Sequence, residues 1–203
     1  MNFEEKLHSR SLYRCTDDSM QAEQTRCLEK LYDYNMTRPS EGARRAALLQ
    51  EMFAAVGEGC YIEPPLHANW AGRHVYLGEN VYANFGLTLV DDTDIHIGAY
   101  TMLGPNVVIA TAGHPILPQL REEICQYNLP VHIGRNCWLG AGVIVLPGVT
   151  IGDNTVIGAG SVVVRDIPAN VVAVGSPCRV LREIGERDRA YYFRDKPMPK
   201  EIF

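Results

Sequence analysis

The hydrophobic positions of the chain change period twice, and this divides it into three stretches. Residues 1 to about 56 read as helical. Asp17, Asp18 and Ser19 offer N-caps for a helix running toward Tyr34, with Met20, Cys27, Leu28, Leu31 and Tyr32 roughly on one side. Pro39-Ser40-Glu41 opens a second helix in which Ala46, Leu49, Met52, Phe53 and Val56 recur at helical spacing, and Gly57-Glu58-Gly59 ends it. From Tyr61 no helical period survives. Near Cys178 helical character returns, so Val180, Leu181 and Ile184 predict a short C-terminal helix, followed by Tyr191-Tyr192-Phe193 and an extended tail with Pro197 and Pro199.

The middle stretch is a repeat. Aliphatic residues stand at Ile133, Leu139, Val145, Ile151, Ile157 and Val163, at a period of six, and Ile97, Leu103 and Ile109 share the phase upstream. Glycine follows the aliphatic at Gly98, Gly104, Gly134, Gly140, Gly152 and Gly158. Asn106, Asn136, Gly142, Gly148, Asn154, Gly160 and Asp166 come three residues after it, and these are types that tolerate a positive φ. Compact side chains follow at the next position, from Thr101 and Val107 to Thr155 and Ser161. A period of six with a turn-capable residue in every unit does not describe an amphipathic helix. It describes a short strand, a corner and another short strand, three units making one triangular coil stacked on the next at the ~4.8 Å spacing of paired strands. The predicted fold is therefore mainly β: a parallel β-helix over 57–178, with a helical cap at 1–56 and a C-terminal helix and tail at 179–203.

Composition narrows the function classes. Of 203 residues, 46% are hydrophobic and 18 are glycine, and 19 basic against 24 acidic side chains give a net charge of −5. That balance gives no electrostatic support for general binding to nucleic acid or an anionic membrane. No apolar run approaches the ~18 residues of a membrane span, and Met-Asn-Phe-Glu-Glu-Lys lacks the apolar core expected of a signal peptide. Cys15, Cys27, Cys60, Cys125, Cys137 and Cys178 show no metal-type pairing and predict reduced thiols in a cytoplasmic protein.

The hexads break once, between Ala110 and His132, where about 111–131 form an extended loop. A long excursion from a rigid scaffold is a common place for function. It begins Gly113-His114-Pro115, in which the proline pushes His114 toward an extended backbone. Histidine is suited to taking a proton from a hydroxyl near neutral pH. The alternative is a loop histidine with no task.

The hexads resemble those of the left-handed β-helix acyltransferases. Val81-Tyr82-Ala83-Asn84-Phe85, Val90-Asp91-Asp92, Gly113-His114-Pro115 and Pro177-Cys178-Arg179-Val180 occur in the order seen in the galactoside and maltose acetyltransferases. The N-terminal helices resemble their cap. The resemblance implies a left-handed coil, an acetyl-CoA-dependent O-acetyltransferase acting on a sugar hydroxyl without a required metal, and a homotrimer with active sites between subunits. It places the catalytic base at His114. It matches acceptor-site residues at Asn84 and Asp92, and Asn69 stands where relatives carry Ser or Asp, in a segment one residue longer than theirs. Read alone, Asn84 is equally a turn cap and Asp92 a turn-solvating carboxylate. On the donor side the resemblance implies the backbone amide of Ala141 as oxyanion donor, Ala159 against the pantetheine arm, and Arg165, Arg179 and Arg182 near the nucleotide. A solvated helical face is the other reading for Arg182. Trp138 is either a wall of this tunnel or a surface aromatic.

Three other readings compete. One is an acetyltransferase with a non-sugar acceptor, a serine or an antibiotic. Another is a zinc enzyme like the γ-type carbonic anhydrases, since His96, His114 and His132 are spaced by eighteen. The third is a non-catalytic hexapeptide scaffold.

Overall fold

The structure, a computed structural model, describes residues 2–16 and 18–202. Its centre is a three-faced coil. The first face stacks Ala55–Val56, Val75–Leu77, Ile95–Ile97, Val131–Ile133 and Thr150–Ile151, and Ile167 bridges to Ile151 below. The second stacks Tyr61–Ile62, Tyr82–Ala83, Met102–Leu103, Trp138–Leu139, Val156–Ile157 and Val171–Val174, all parallel. His67–Ala68, Thr88–Val90, Val108–Ala110, Ile144–Val145 and Val162–Val163 make the third. The hexad aliphatics all point inward: Ile97, Leu103, Ile109, Ile133, Leu139, Val145, Ile151, Ile157 and Val163 are buried. At roughly 1.5–3 kcal/mol for each fully buried aliphatic, this narrow column is the main stabilising element of the coil.

The corners follow the chemistry read from the repeat. Asn106, Asn136, Gly142, Gly148, Asn154 and Gly160 have φ between 54° and 80°. Asp166 is not among them, and its carboxylate instead accepts the Thr150 N–H at 2.7 Å. Tyr100, at a corner with neither Asn nor Gly, has φ 63° with the Arg135 guanidinium over its ring. Asn136, Asn154 and Asn170 form a side-chain ladder down one edge, donating at 3.1 and 2.9 Å. The compact residues that follow the corners, Thr101, Val107, Cys137, Val143, Thr155 and Ser161, are almost wholly enclosed.

The ends of a parallel coil expose unpaired strand edges, and the cap covers one of them. Among the described residues three helices precede the coil: α1 (Phe3–His8), α2 (Asp18–Asn35) and α3 (Gly42–Met52). Asp17, one of the three N-cap candidates, lies outside the described residues. At the far end of α2, Asn35 pairs with Leu66 like a strand, donating to its carbonyl and accepting its N–H, both at 2.8 Å. The buried Tyr34 hydroxyl donates to the Ile62 carbonyl, and buried Arg45 of α3 reaches Tyr61 Oη at 2.7 Å and Thr37 Oγ1 at 2.8 Å. The second helix stops earlier than its spacing predicts. Ala55–Val56 already pairs with Tyr76–Leu77, because the open edge of the first coil offers strand partners that outweigh one more helical turn.

The C-terminal segment differs from the expectation more strongly. Val180 and Leu181 lie in a strand, Arg179–Glu183, antiparallel to Val171–Val174. Exposed backbone at the coil's last edge recruits this segment, and the short helix begins only at Glu186. Among the described residues no helix is long and apolar enough to cross a membrane.

Candidate active site

The excursion is ordered by pairing rather than left as an open loop. Ala112–Gly113 runs antiparallel to Cys125–Asn128, which pairs on its other side with Tyr13–Arg14 from the N-terminal segment. A short helix, α4 (Pro118–Glu122), crosses the tip, and Arg14 forms an ion pair with Glu123. His114 follows the first of these strands directly and is exposed. Its Nδ1 lies 2.8 Å from the Cys125 carbonyl oxygen. A carbonyl only accepts, so Nδ1 carries the proton and the neutral ring presents Nε2 as a base. Nε2 has no partner among the described residues.

The same strand gathers a buried polar network. Asp92, only 8% exposed, accepts the Asn69 amide at 2.8 Å on Oδ2 and Gln126 Nε2 at 3.2 Å on Oδ1. Gln126 also donates to Asn128 Oδ1 and lies 2.9 Å from the Tyr13 hydroxyl, while Asn128 donates to the Leu7 carbonyl of α1. Burial pushes the Tyr13 phenol up, so it stays protonated. Asp91 beside it is a structural group: its carboxylate receives the Trp70 and Gly72 N–H groups at 2.8 Å each, and burial raises its pKa to about 6.

Thus Asn69, Asp92 and His114 come together around Cys125–Asn128, whereas Asn84 does not join them. Its Oδ1 accepts the Phe85 N–H at 2.8 Å, the turn-capping contact expected of such a residue. Asn84 instead heads a different edge of the coil, the corner after the second face. Ala83, Leu103, Leu139 and Ile157 are in register there, so Asn84, Gly104, Gly140 and Gly158 stack in one column, with Ala141 and Ala159 next to it. Gly140 and Gly142 donate their N–H groups to Ile157 and Pro105, and Gly158 and Gly160 to Ala173 and Ala141. The Ala141 and Ala159 amides between them have no partner in this ladder. No hydrogen bond among the described residues joins this edge to the His114 group.

Of the arginines, Arg165 and Arg179 line one shallow depression of about 140 Å³, with Asp166, Ile167, Cys178 and Val180. Arg182 is held by Asp188 through two 2.7 Å contacts. Trp138 is 52% exposed on the second face, in register with Met102, so it is a surface aromatic in a single copy of the chain. His96 and His132 stack face to face, 4.8 Å apart and 4° from parallel, with Tyr76 on the other side of His96. Parallel rings aim their lone pairs in separate planes, so these histidines and the distant His114 do not converge within one chain. All six cysteines are free thiols, and burial pushes those of Cys15, Cys27, Cys60, Cys137 and Cys178 up, away from the nucleophilic thiolate. Gln126, Asn128 and Tyr13 are parts of the site that sequence reading missed. The one faint signal, for Gln126 and Asn128 alone, is the alternation of polar side chains in Cys125-Gln126-Tyr127-Asn128, which does not say what they touch; Tyr13 has none.

Two family patterns match the chain: the maltose acetyltransferase hexapeptide capping motif over residues 6–57, and the bacterial transferase hexapeptide (six repeats) over 130–165. The galactoside O-acetyltransferase of Lactococcus lactis is 49% identical over 198 residues, which cover 98% of this chain and 96% of that protein. Among solved structures, a galactoside acetyltransferase in complex with coenzyme A superposes with a TM-score of 0.94 at 44% identity, covering 98% of this chain and 100% of the other. A maltose O-acetyltransferase from Clostridium difficile gives 0.89 at 44% identity, covering 92% and 99%.

Proposed function

The chain belongs to the galactoside and maltose O-acetyltransferase family of hexapeptide-repeat proteins, and on that premise we propose that it transfers the acetyl group of acetyl-CoA to a sugar hydroxyl with His114 as general base. The observation that carries this reading is the Nδ1–H bond to the Cys125 carbonyl, which leaves Nε2 as the free base at the mouth of a polar, hydroxyl-binding network. Nε2 takes the proton of the acceptor hydroxyl as its oxygen attacks the thioester carbon. The tetrahedral oxyanion is met by the Ala141 N–H, which the coil leaves unused. When the C–S bond breaks, the imidazolium returns the proton to the CoA sulfur, so no covalent enzyme intermediate is needed.

Asp92 orients the acceptor. Each of its oxygens already accepts one amide, which fixes the carboxylate and leaves a lone pair on each for sugar hydroxyls. Arg165 and Arg179 meet the CoA phosphates as charge-assisted donors, Arg182 supports them through its pair with Asp188, and Ala159 lies along the pantetheine arm. The acceptor group and the donor edge occupy different corners of one chain, so a complete site requires the Asn84–Ala141 edge of one copy beside the His114 group of another. This arrangement supports the homotrimer with inter-subunit sites that the family resemblance implies.

Acetyl-CoA-dependent thiol release, measured with glucose, maltose, galactosides, serine and chloramphenicol, tests the reaction and its acceptor class. Release stimulated by the sugars supports the reading; stimulation by serine or chloramphenicol alone replaces the sugar, and none with any acceptor removes it. The shared site predicts complementation. His114→Ala and Asn84→Ala chains, each inactive alone, regain activity when co-refolded, because some sites then receive both native residues. No recovery in mixed assemblies means that each chain builds its own site.

Gln126→Leu removes the donor to Asp92 Oδ1 and leaves Tyr13 and Asn128 short of a partner. A buried loss of this kind costs about 1–3 kcal/mol. The expected kinetic result is a KM for the acceptor raised roughly tenfold or more, with the KM for acetyl-CoA unchanged.

A further inference from the structure

A second cluster of ligating side chains lies where α1 rests on the coil, away from His114. Glu4 and His8, four residues apart on one face of α1, meet His74, which precedes the first-face strand Val75–Leu77. His74 is 5% exposed, and its Nδ1 lies 2.7 Å from the Asp91 carbonyl oxygen, which makes Nδ1 the protonated nitrogen. Its Nε2 is buried without a hydrogen-bond partner and points at Glu4 Oε2, 3.6 Å away. His8 is anchored in the same way. Its Nδ1 is 2.8 Å from Thr93 Oγ1, and its Nε2 is 3.8 Å from the same Glu4 oxygen. The two rings meet edge to face with centroids 4.9 Å apart. Arg73 holds the other carboxylate oxygen of Glu4 at 2.5 Å.

We propose that Glu4, His8 and His74 form a binding site for a divalent transition-metal ion of the zinc type, which fastens α1 to the coil. Two imidazoles and a carboxylate are ligands that zinc takes, and each side chain here has its remaining polar atom tied to an outer partner, as ligating histidines and carboxylates do. Ligands about 2.0–2.1 Å from a tetrahedral ion stand roughly 3.3–3.4 Å from one another. The two separations from Glu4 Oε2 therefore need to close by only a few tenths of an ångström, and the two imidazole nitrogens, within 4.8 Å of each other, draw together as the ion binds. Glu4 and His8 are one-third exposed, which leaves a fourth position open to water. A proton shared between the histidines and Glu4 is the rival occupant, but it leaves the buried Nε2 lone pair of His74 more than 3.5 Å from its nearest oxygen, too far for a hydrogen bond. The ion takes no part in acyl transfer. It acts through α1, whose Leu7 carbonyl receives Asn128.

The test uses the full chain, purified without a histidine tag and stripped with chelator. Zinc chloride is titrated by calorimetry and cobalt(II) by visible absorption. The expected result is one ion per chain, the d–d bands of a four-coordinate cobalt site, and a Tm raised by several degrees with zinc. Glu4→Gln and His8→Ala, on the partly exposed side of α1, keep the apo Tm and weaken binding at least tenfold, whereas His96→Ala leaves it unchanged. Absence of stoichiometric binding, or wild-type affinity in both α1 variants, overturns the proposal. Thiol release by the stripped protein separates this outcome from that of the acetyl-transfer reading.

Discussion

His114→Ala lowers the turnover of sugar-dependent thiol release by two to four orders of magnitude, about 10²–10⁴ being the usual contribution of a positioned general base. The loss is expected on kcat with little change in the KM for acetyl-CoA, because the proposed mechanism sets His114 against the acceptor hydroxyl and not the nucleotide. Stability is nearly untouched: the ring is exposed and makes one hydrogen bond, worth about 1 kcal/mol. His114→Gln sharpens the test, since its amide can still donate to the Cys125 carbonyl but offers no base. If Gln restores turnover, His114 serves as a spacer that holds the excursion. If both variants are equally slow, proton transfer is its task. Wild-type turnover in the alanine variant removes the mechanism.

The legibility of this site in the sequence depended on whether its residues act locally. Hexad aliphatics and corner asparagines declare themselves because each coil imposes the same constraint at the same interval. His114 stood out because it lies where that interval fails, and because Gly113 and Pro115 flank it. Gln126 and Tyr13 gave no such signal. Their roles arise from a three-stranded pairing in which Tyr13–Arg14 joins Cys125–Asn128 across more than a hundred residues, and no local pattern encodes which distant strand will supply a partner. The strand at Arg179–Glu183 was misread for a related reason. Val180, Leu181 and Ile184 fit a helical period, yet the open last edge of the coil decided their conformation. Similarly, Arg182 reads as a free cation until Asp188, six residues on, is seen to hold it.

Gly98→Ala is expected to lower the unfolding temperature by roughly 5–10 °C, with overpacking costing about 1–3 kcal/mol and each kcal/mol shifting a domain of this size by about 2–4 °C. Gly98 is not there for its φ. A Cβ at that position would stand 2.5 Å from Arg135 N and Gly134 C and 2.7 Å from Gly134 O, all backbone atoms of the next coil. No flexible side chain can give way. The two coils are tied at this point by Gly98 N–H to Ile133 O and Asn136 N–H to Ala99 O, both 2.8 Å, and the methyl has to pry them apart. Two other glycines separate crowding from backbone strain. At Gly142 a Cβ meets nothing within 4 Å but φ is +67°, so alanine costs about 1–2 kcal/mol through the left-handed backbone alone. At Gly42, in the first turn of α3, neither penalty applies, and alanine gains roughly 0.5 kcal/mol at most. Thermal scans should therefore rank Gly42→Ala at or above wild type, then Gly142→Ala, then Gly98→Ala; equal falls at 98 and 142 would mean that conformation rather than coil spacing selects glycine after the hexad aliphatic. The position has a further consequence for activity. Coil Ile95–Ala110 and coil Val131–Val145 are the two between which the chain leaves to present His114, so a methyl that loosens their joint lowers turnover as well as Tm, whereas Gly142→Ala changes Tm with less effect on rate.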